Sequence, residues 1–275
     1  MVKRALTVAG SDTSGGAGIQ ADLKVFEEHG IFGTTALTSI VTYDPANELH
    51  HDIDFVDSAV IEKQLTSAFA LHAFDGVKSG MLGSTETVTL LAAALHRAEG
   101  VRYVLDPVLV CKGQGMMVDL KQAFLDELLP QASVVTPNLQ EAAALVGAES
   151  IDTVNEMRDV ARELHSRGAK AVMVKGGARL AGNQAVDVLY DGEEFTVFTS
   201  PKLGDLMVNG AGCSLAAAIT SELALGSDVR TAVERAKAFV THAIAGHISN
   251  ASSVDSVYHA AARLSPSEDV NVQRQ

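Results

Sequence analysis

The sequence predicts an α/β protein with a mostly parallel sheet covered by helices on both faces. Two observations carry that reading. Short apolar runs of strand length alternate with segments of helical periodicity along nearly the whole chain, the pattern of a parallel sheet with crossover helices. Glycine-rich or polar turns sit at the ends of several apolar runs, where right-handed crossovers are joined. No linker, low-complexity segment or internal repeat interrupts the pattern, so residues 1–275 read as a single domain. A closed β/α barrel shares the alternation, but a late hairpin and paired helices fit it less well.

From the N-terminus, RALTVAG is a strand ending in glycine and SDTSGGAG a polar loop. IQADLKVFEEHG is a helix with Ile19, Leu23 and Phe26 on one face and Gly30 as its stop. TTALTSIVTY returns as a second strand, completing a parallel crossover. FDGVKSGML is a strand with its loop, ETVTLLAAALHRAEG a helix, VRYVLDPVLV a strand and LKQAFLDELLP a helix. ASVVTPN is a strand closed by a proline turn, followed by helices in LQEAAALVG and TVNEMRDVARELHSRG and a strand in KAVMVKGG. AVDVLYDGEEFTVFTS reads as a hairpin turning at Asp191-Gly192. GCSLAAAITSELALG and VRTAVERAKAFVTHAIAGH are the last helices, and the polar tail from about residue 264 to 275 reads as loose.

Composition narrows the function classes. The net charge is −13, from 34 acidic and 21 basic residues, so no basic surplus exists to cover nucleic-acid phosphates or an anionic membrane. An anionic substrate can still bind through local backbone N–H groups and one or two lysines. The N-terminus MVKRALTVAG lacks an apolar stretch of signal or membrane length, which reads as a cytoplasmic protein. Two cysteines make no disulfide framework and show no metal-type spacing. The nine histidines form no cluster, and His50-His51 reads as a solvated loop pair as readily as a ligand.

In open parallel sheets ligands bind beyond the C-terminal strand ends. Ser11, Asp12, Tyr43, Asp44, Lys78, Met81, Asp106, Asn138 and Lys175 all fall there. The turn Gly210-Ala211-Gly212 opens an Ala-rich helix, so successive N–H groups and the helix dipole can form an anion hole. It is no Walker A loop, since no Gly-Lys-Ser/Thr follows, and the same small residues also serve close helix packing. Cys213 at that helix start is expected to have a lowered thiol pKa and suits a general base. Cys111, in VLVCKGQGM, follows a strand beside Lys112. Gly113 and Gly115 supply hinges, so about 109–118 reads as a lid.

Asp106, Asn138 and Glu141 offer hard oxygen ligands for Mg²⁺, although Asn138 and Glu141 equally fit a helix capping box. Lys175, followed by Gly176 and Gly177, suits a nucleotide phosphate, and Asp187 lies on the same side or is an edge-strand charge. AGSDTSGGAG lacks the G-x-G-x-x-G spacing and suits a flat ring lying on backbone at Asp12 and Ala17.

Six stretches occur in order: AGSDTSGGAGIQADLK, KSGMLG, VLDPVLVCKGQG, VVTPNLQEA, VKGG and GAGCSLAAAI. Together they resemble the ribokinase-like superfamily, in its pyridoxal kinase and hydroxymethylpyrimidine (phosphate) kinase branch, from about Leu6 to Val240. The resemblance implies a three-layer α/β/α sandwich, commonly homodimeric. It implies transfer of the ATP γ-phosphoryl group to a hydroxymethyl group with Mg²⁺, and admits a monovalent cation. Asp12, Ala17, Tyr43, Met81 and Val108 would then enclose the ring. Lys112, Asn138, Lys175, Gly177 and Asp187 would face the nucleotide, Asp106 and Glu141 the metal. Gly210, Ala211 and Gly212 would stabilise the transferring group.

Within the branch, the pyrimidine kinases carry a glutamine where this chain has Tyr43, and a phenol cannot present the amide's paired donor and acceptor. The chain is similar to dual-cysteine pyridoxal kinases, which place one thiol on the lid and one after the anion-hole turn. The resemblance gives Cys111 addition to the pyridoxal aldehyde as a hemithioacetal, and Cys213 removal of the proton from the 5′-hydroxyl. The histidine usual before GAGC in that subfamily is Asn209 here, which neither carries charge nor shuttles a proton. Hydroxymethylpyrimidine phosphorylation, and a ligand or redox sensor on the same scaffold, are the alternatives.

Overall fold

The computed structural model describes residues 1–111, 115–116, 118–203, 208–251, 254–265 and 272–275, with side chains omitted at 110–111, 115–116 and 118–119. Strand β1 (Arg4–Asp12) leads into helix α1 (Gly18–Glu28), β2 (Phe32–Asp44) and β3 (His50–Phe55). Then follow α2 (Ser58–Leu71), β4 (Gly76–Ser79), α3 (Thr85–Arg97) and β5 (Arg102–Leu105). A two-stranded ribbon of β6 (Val110–Cys111) and β7 (Gly115–Met116) precedes α4 (Val118–Ala123). Next come β8 (Val134–Val135), α5 (Leu139–Val146), α6 (Val154–Ser166), β9 (Val172–Gly177), β10 (Gln184–Tyr190) and β11 (Phe195–Pro201). The chain closes with α7 (Ala211–Leu225), α8 (Val229–Ala245), α9 (Ala261–Leu264) and β12 (Gln273–Arg274).

Among the described residues the main sheet has ten strands, ordered β12-β11-β10-β9-β8-β5-β4-β1-β2-β3. The pairs from β9 through β2 are parallel, and β3, β10, β11 and β12 add antiparallel edges. Period-2 side-chain alternation splits the interior into two cores. Leu6, Val8, Val77, Leu105, Val135 and Val174 face one helix layer, with α2, α3, α5 and α6. Ala5, Val104, Val134 and Met173 face the other, with α1, α7 and α8. The three-layer α/β/α sandwich with a mostly parallel sheet is therefore the observed architecture.

Several expectations need correction. His50 and His51 lie in strand β3, paired with Asp44 and Tyr43 of β2, rather than in a loop. Its polar, largely exposed residues hide a strand from hydropathy. Helix α2 also carried no assignment in the sequence reading. The helix expected in LKQAFLDELLP is α4 followed by a π-turn over Phe124–Leu128 and a 3-10 turn over Leu129–Gln131, where Pro130 supplies no N–H to an α-helical ladder. The tail is not loose throughout: Gln275 and Val197 exchange backbone hydrogen bonds at 2.9 Å, so β12 covers the edge of β11. Residues 266–271 of that tail lie outside the described residues.

Candidate active site

The C-terminal ends of β1, β2, β4, β5, β8 and β9 and the start of α7 carry the site. Asp12 closes β1 and is buried. Its Oδ1 accepts the Ser14 N–H at 2.9 Å and the Tyr43 hydroxyl at 3.2 Å. Its Oδ2 accepts the Ala17 N–H and the Asn209 side-chain amide, both at 3.1 Å. Four donors thus fix one carboxylate, and residues from β1, β2 and the turn before α7 meet on it. Burial raises the Tyr43 phenol above its ordinary value, and its ring stands edge-on to His51 with centroids 4.5 Å apart. Met81 is half-buried, with its terminal methyl 2.9 Å from where a Cβ on Gly10 would lie. Val108 is half-buried, and its N–H turns back to the Asp106 carbonyl at 2.9 Å.

The anion-hole turn is held by close backbone approach. Gly210 has φ 87, and a Cβ there would overlap the Gly16 carbonyl oxygen, so only glycine fits. Gly210 is the N-cap of α7, leaving the N–H groups of Ala211, Gly212 and Cys213 without intrahelical acceptors. Ser214, the next residue, closes the first helical bond to the Gly210 carbonyl at 2.8 Å. A Cβ on Gly212 would lie 3.4 Å from Lys175 Nζ, so the lysine ammonium borders the same turn.

Cys213 is half-buried, and its thiol receives the Gly18 N–H. The expected lowering of its pKa is not what the surroundings produce. Burial pushes the thiol above its ordinary value; Lys78 pulls it down, while Asp22 and Asp106 push it up. The helix start is not enough to offset that loss of solvent.

Lys175 and Asp106 form an ion pair at 2.8 Å, and Thr136 Oγ1 donates to the same Asp106 oxygen at 3.2 Å. Burial pulls the Lys175 ammonium down, but Asp106 and Glu141 outweigh it and hold it above its ordinary value. Asn138 and Glu141 form the capping box: Asn138 Oδ1 accepts from Gln140 and Glu141 N–H at 2.9 and 3.0 Å, and Glu141 Oε2 accepts the Asn138 N–H at 2.8 Å. Burial lifts the Glu141 carboxyl to about 7, with Lys175 pulling it down and Asp106 pushing it up.

Beyond Lys175 opens a cavity of about 360 Å³, bounded by Gly177, Asp187, Gly212, Lys237 and Thr241 among others. Asp187 is not a free edge-strand charge. It pairs with Lys237 Nζ at 2.5 Å and accepts the Gly177 N–H at 3.1 Å. Sequence reading missed Lys237, although it shares a helix face with Val233, Ala236 and Val240, all buried. Lys78, expected at a ligand-facing strand end, is fully buried. Lys112 lies outside the described residues, as does the Cys111 side chain, so of the segment expected to be a lid the β6–β7 ribbon is what the structure describes before α4. Among the described residues no group of three His, Cys, Asp or Glu side chains could hold a metal ion.

With this geometry in place, the chain matches the family model described as phosphomethylpyrimidine kinase over residues 12–258. It is 42% identical over 263 residues to the pyridoxine kinase of Bacillus subtilis, covering 95% of this chain and 97% of that one. The pyridoxal kinase of Staphylococcus aureus, solved with AMP-PCP and pyridoxal, superposes with a TM-score of 0.94 at 37% identity, covering 100% of this chain and 99% of the other. The phosphomethylpyrimidine kinase of Clostridium difficile gives 0.75 at 35% identity, over 88% of this chain and 99% of that one.

Proposed function

We propose that this chain, which belongs to the phosphomethylpyrimidine kinase family, is a kinase that transfers the ATP γ-phosphoryl group to the 5′-hydroxymethyl group of pyridoxal. The observation that carries the choice of substrate is the backbone itself, which follows the pyridoxal kinase throughout and the pyrimidine kinase over less of its length. Tyr43 supports it, since its hydroxyl is committed to Asp12 and offers no amide edge to a pyrimidine.

The ring lies against Asp12, Ala17, Tyr43, Met81 and Val108. Cys213 takes the proton from the hydroxymethyl group as its oxygen attacks phosphorus. The N–H groups of Gly210, Ala211, Gly212 and Cys213 face the charge that gathers on the transferring phosphoryl oxygens. Lys175 stands beside that turn as a fixed cation. The nucleotide occupies the cavity bordered by Gly177, Asp187 and Lys237, and the family resemblance adds Asn138 and Lys112 to its contacts. Asp106 and Glu141 suit Mg²⁺, because two hard carboxylates lie in one buried site, where Asp106 adds to the burial that lifts the Glu141 carboxyl. Mg²⁺, when bound through them, neutralises nucleotide phosphate charge.

Cys111 adds its sulfur to the aldehyde carbon of pyridoxal, and the thiol proton passes to the carbonyl oxygen, giving a hemithioacetal. A homodimer is the assembly that the family resemblance implies. No described helix is long and apolar enough to cross a membrane.

A panel of pyridoxal, pyridoxine and hydroxymethylpyrimidine with Mg-ATP tests the reading. Turnover of pyridoxal above hydroxymethylpyrimidine is the expected result; preference for the pyrimidine overturns it. Cys111→Ala should cost far more activity with pyridoxal than with pyridoxine, which has no aldehyde. Equal losses would remove the hemithioacetal.

A further inference from the structure

Both flanks of the glycine turn before α7 are tied to one short stretch near the C-terminus. Asn209, just before the turn, is bonded through its backbone to Asp255 and Val257. Ser214, just after it, has its Oγ 2.8 Å from His259 Nε2. Ser214 is fully buried and His259 nearly so. Between the two ties stand Ala211, Gly212 and Cys213, whose N–H groups have no intrahelical acceptors. The stretch is itself anchored. Tyr258 donates its N–H to the Ala243 carbonyl of α8 at 2.9 Å, and Ile248 and Ser256 exchange backbone bonds at 2.8 and 2.9 Å.

A buried hydroxyl in a helix needs no imidazole to satisfy it. Thr220 and Ser221 in α7 and Thr241 in α8, all buried, donate to the carbonyl four residues back at 2.8, 2.9 and 2.7 Å. The carbonyl four residues before Ser214 is that of Gly210, which accepts the Ser214 N–H at 2.8 Å. The Ser214 hydroxyl meets His259 instead. The ring is held there at a cost, because burial and the Lys24 ammonium push its pKa down to about 4, against the pull of Glu28. Hydrogen-bond satisfaction alone gives no reason for this pair. Its place does: ties at Asn209 and Ser214 oppose rotation of the turn between them, and rotation would move its N–H groups off a bound oxyanion.

We propose that His259 is a positioning residue that, through the Ser214 hydroxyl, fixes the first turn of α7 so that its N–H groups stay aimed at the transferring phosphoryl group. The proposal rests on the reading of that turn as the anion hole.

The test compares His259→Leu, His259→Gln and Ser214→Ala in kcat and KM, with whichever of pyridoxal and hydroxymethylpyrimidine turns over faster. Calorimetry on the same proteins follows the binding of Mg-ADP with aluminium fluoride, a mimic of the transferring group. His259→Leu should lower kcat about 10- to 100-fold with KM nearly unchanged, and weaken the aluminium fluoride complex by a similar factor. His259→Gln, whose amide reaches the place of Nε2, should recover most of both losses. Ser214→Ala should match His259→Leu, and the two together should cost no more than either alone, since each removes the same bond. An unchanged kcat in folded His259→Leu, an equal loss in His259→Gln, or additive losses in the double variant overturns the proposal. Should His259→Leu fail to fold, Ser214→Ala carries the test, because alanine suits a helix; an unchanged kcat there overturns the proposal. An unaltered protein that turns over substrate yet forms no aluminium fluoride complex overturns the anion-hole reading and the proposal with it. A complex equally tight in the unaltered protein and the variants overturns the proposal alone.

Discussion

Asn209 Nδ2 donates to Asp12 Oδ2 at 3.1 Å, joining residues 197 positions apart. The same asparagine is pinned by its backbone, which donates to the Asp255 carbonyl at 2.7 Å and accepts from the Val257 N–H at 3.2 Å. The C-terminal segment thereby holds the Asp12 carboxylate in register with the glycine turn before α7. An amide carries no charge, so this tie does not change with pH. Asn209→Ala is expected to raise KM for pyridoxal about tenfold, matching about 1.4 kcal/mol for a hydrogen bond to a charged group. Asn209→His should make KM depend on pH. The imidazolium pairs with Asp12 at low pH, and the gain is lost as pH rises through a value that the carboxylate lifts above about 6.5. Steady-state kinetics from pH 6 to 9 on both variants check this.

Cys213→Ser should lower kcat by about 10²–10⁴ while leaving KM nearly unchanged, because a hydroxyl is a far poorer base at neutral pH. In the unaltered enzyme kcat should climb with pH past the ordinary thiol range, since burial raises this thiol and only its deprotonated form accepts a proton. A flat kcat–pH profile from 7 to 10, with phosphoryl transfer rate-limiting, would count against the assignment.

Nucleotide affinity in the presence of Mg²⁺ should rise as pH increases through about 7, where the Glu141 carboxyl ionises. Glu141→Gln should remove that dependence, which calorimetric titration with Mg-ADP at pH 6 and pH 8 measures. The metal-free protein should show the opposite trend in stability. The folded value lies above the unfolded one, so the stabilisation is complete below the ordinary carboxylate range and is lost as pH rises through about 7.

Lys237→Met should leave the Asp187 carboxylate buried beside the cavity proposed for the nucleotide, with only the Gly177 N–H as a described partner. Breaking a buried pair costs about 3–5 kcal/mol, a fall in Tm of about 6–15 °C for a chain of this size. Adding Asp187→Asn should recover most of the loss. Thermal melts of the single and double variants separate a structural pair from one whose charge the nucleotide needs, since only the latter raises the nucleotide Kd in the double variant.

Strands with strong apolar character were legible because burial on both faces demands runs such as RALTVAG and KAVMVKGG. Strand β3 and helix α2 were not: HHDIDF is largely exposed at a sheet edge, where packing asks little of the residues. The capping box at Asn138 and Glu141 was readable from spacing alone, because its partners are three residues apart. The Asp106–Lys175 pair spans 69 residues and the Lys78–Asp22 pair 56, and no local pattern encodes either.

The sequence by itself determined the layered α/β class, the glycine turn before Cys213 and most of the residues that gather at the strand ends, because each follows from local periodicity or backbone freedom. Only the tertiary structure decided their chemical state. It shielded the Cys213 thiol from solvent so that it rises where a helix start would lower it, paired Lys78 with Asp22 in the interior, and gave Asn209 a partner in Asp12. Protonation depends on how much solvent is removed and which charges arrive from distant segments, and those are properties of the packed fold.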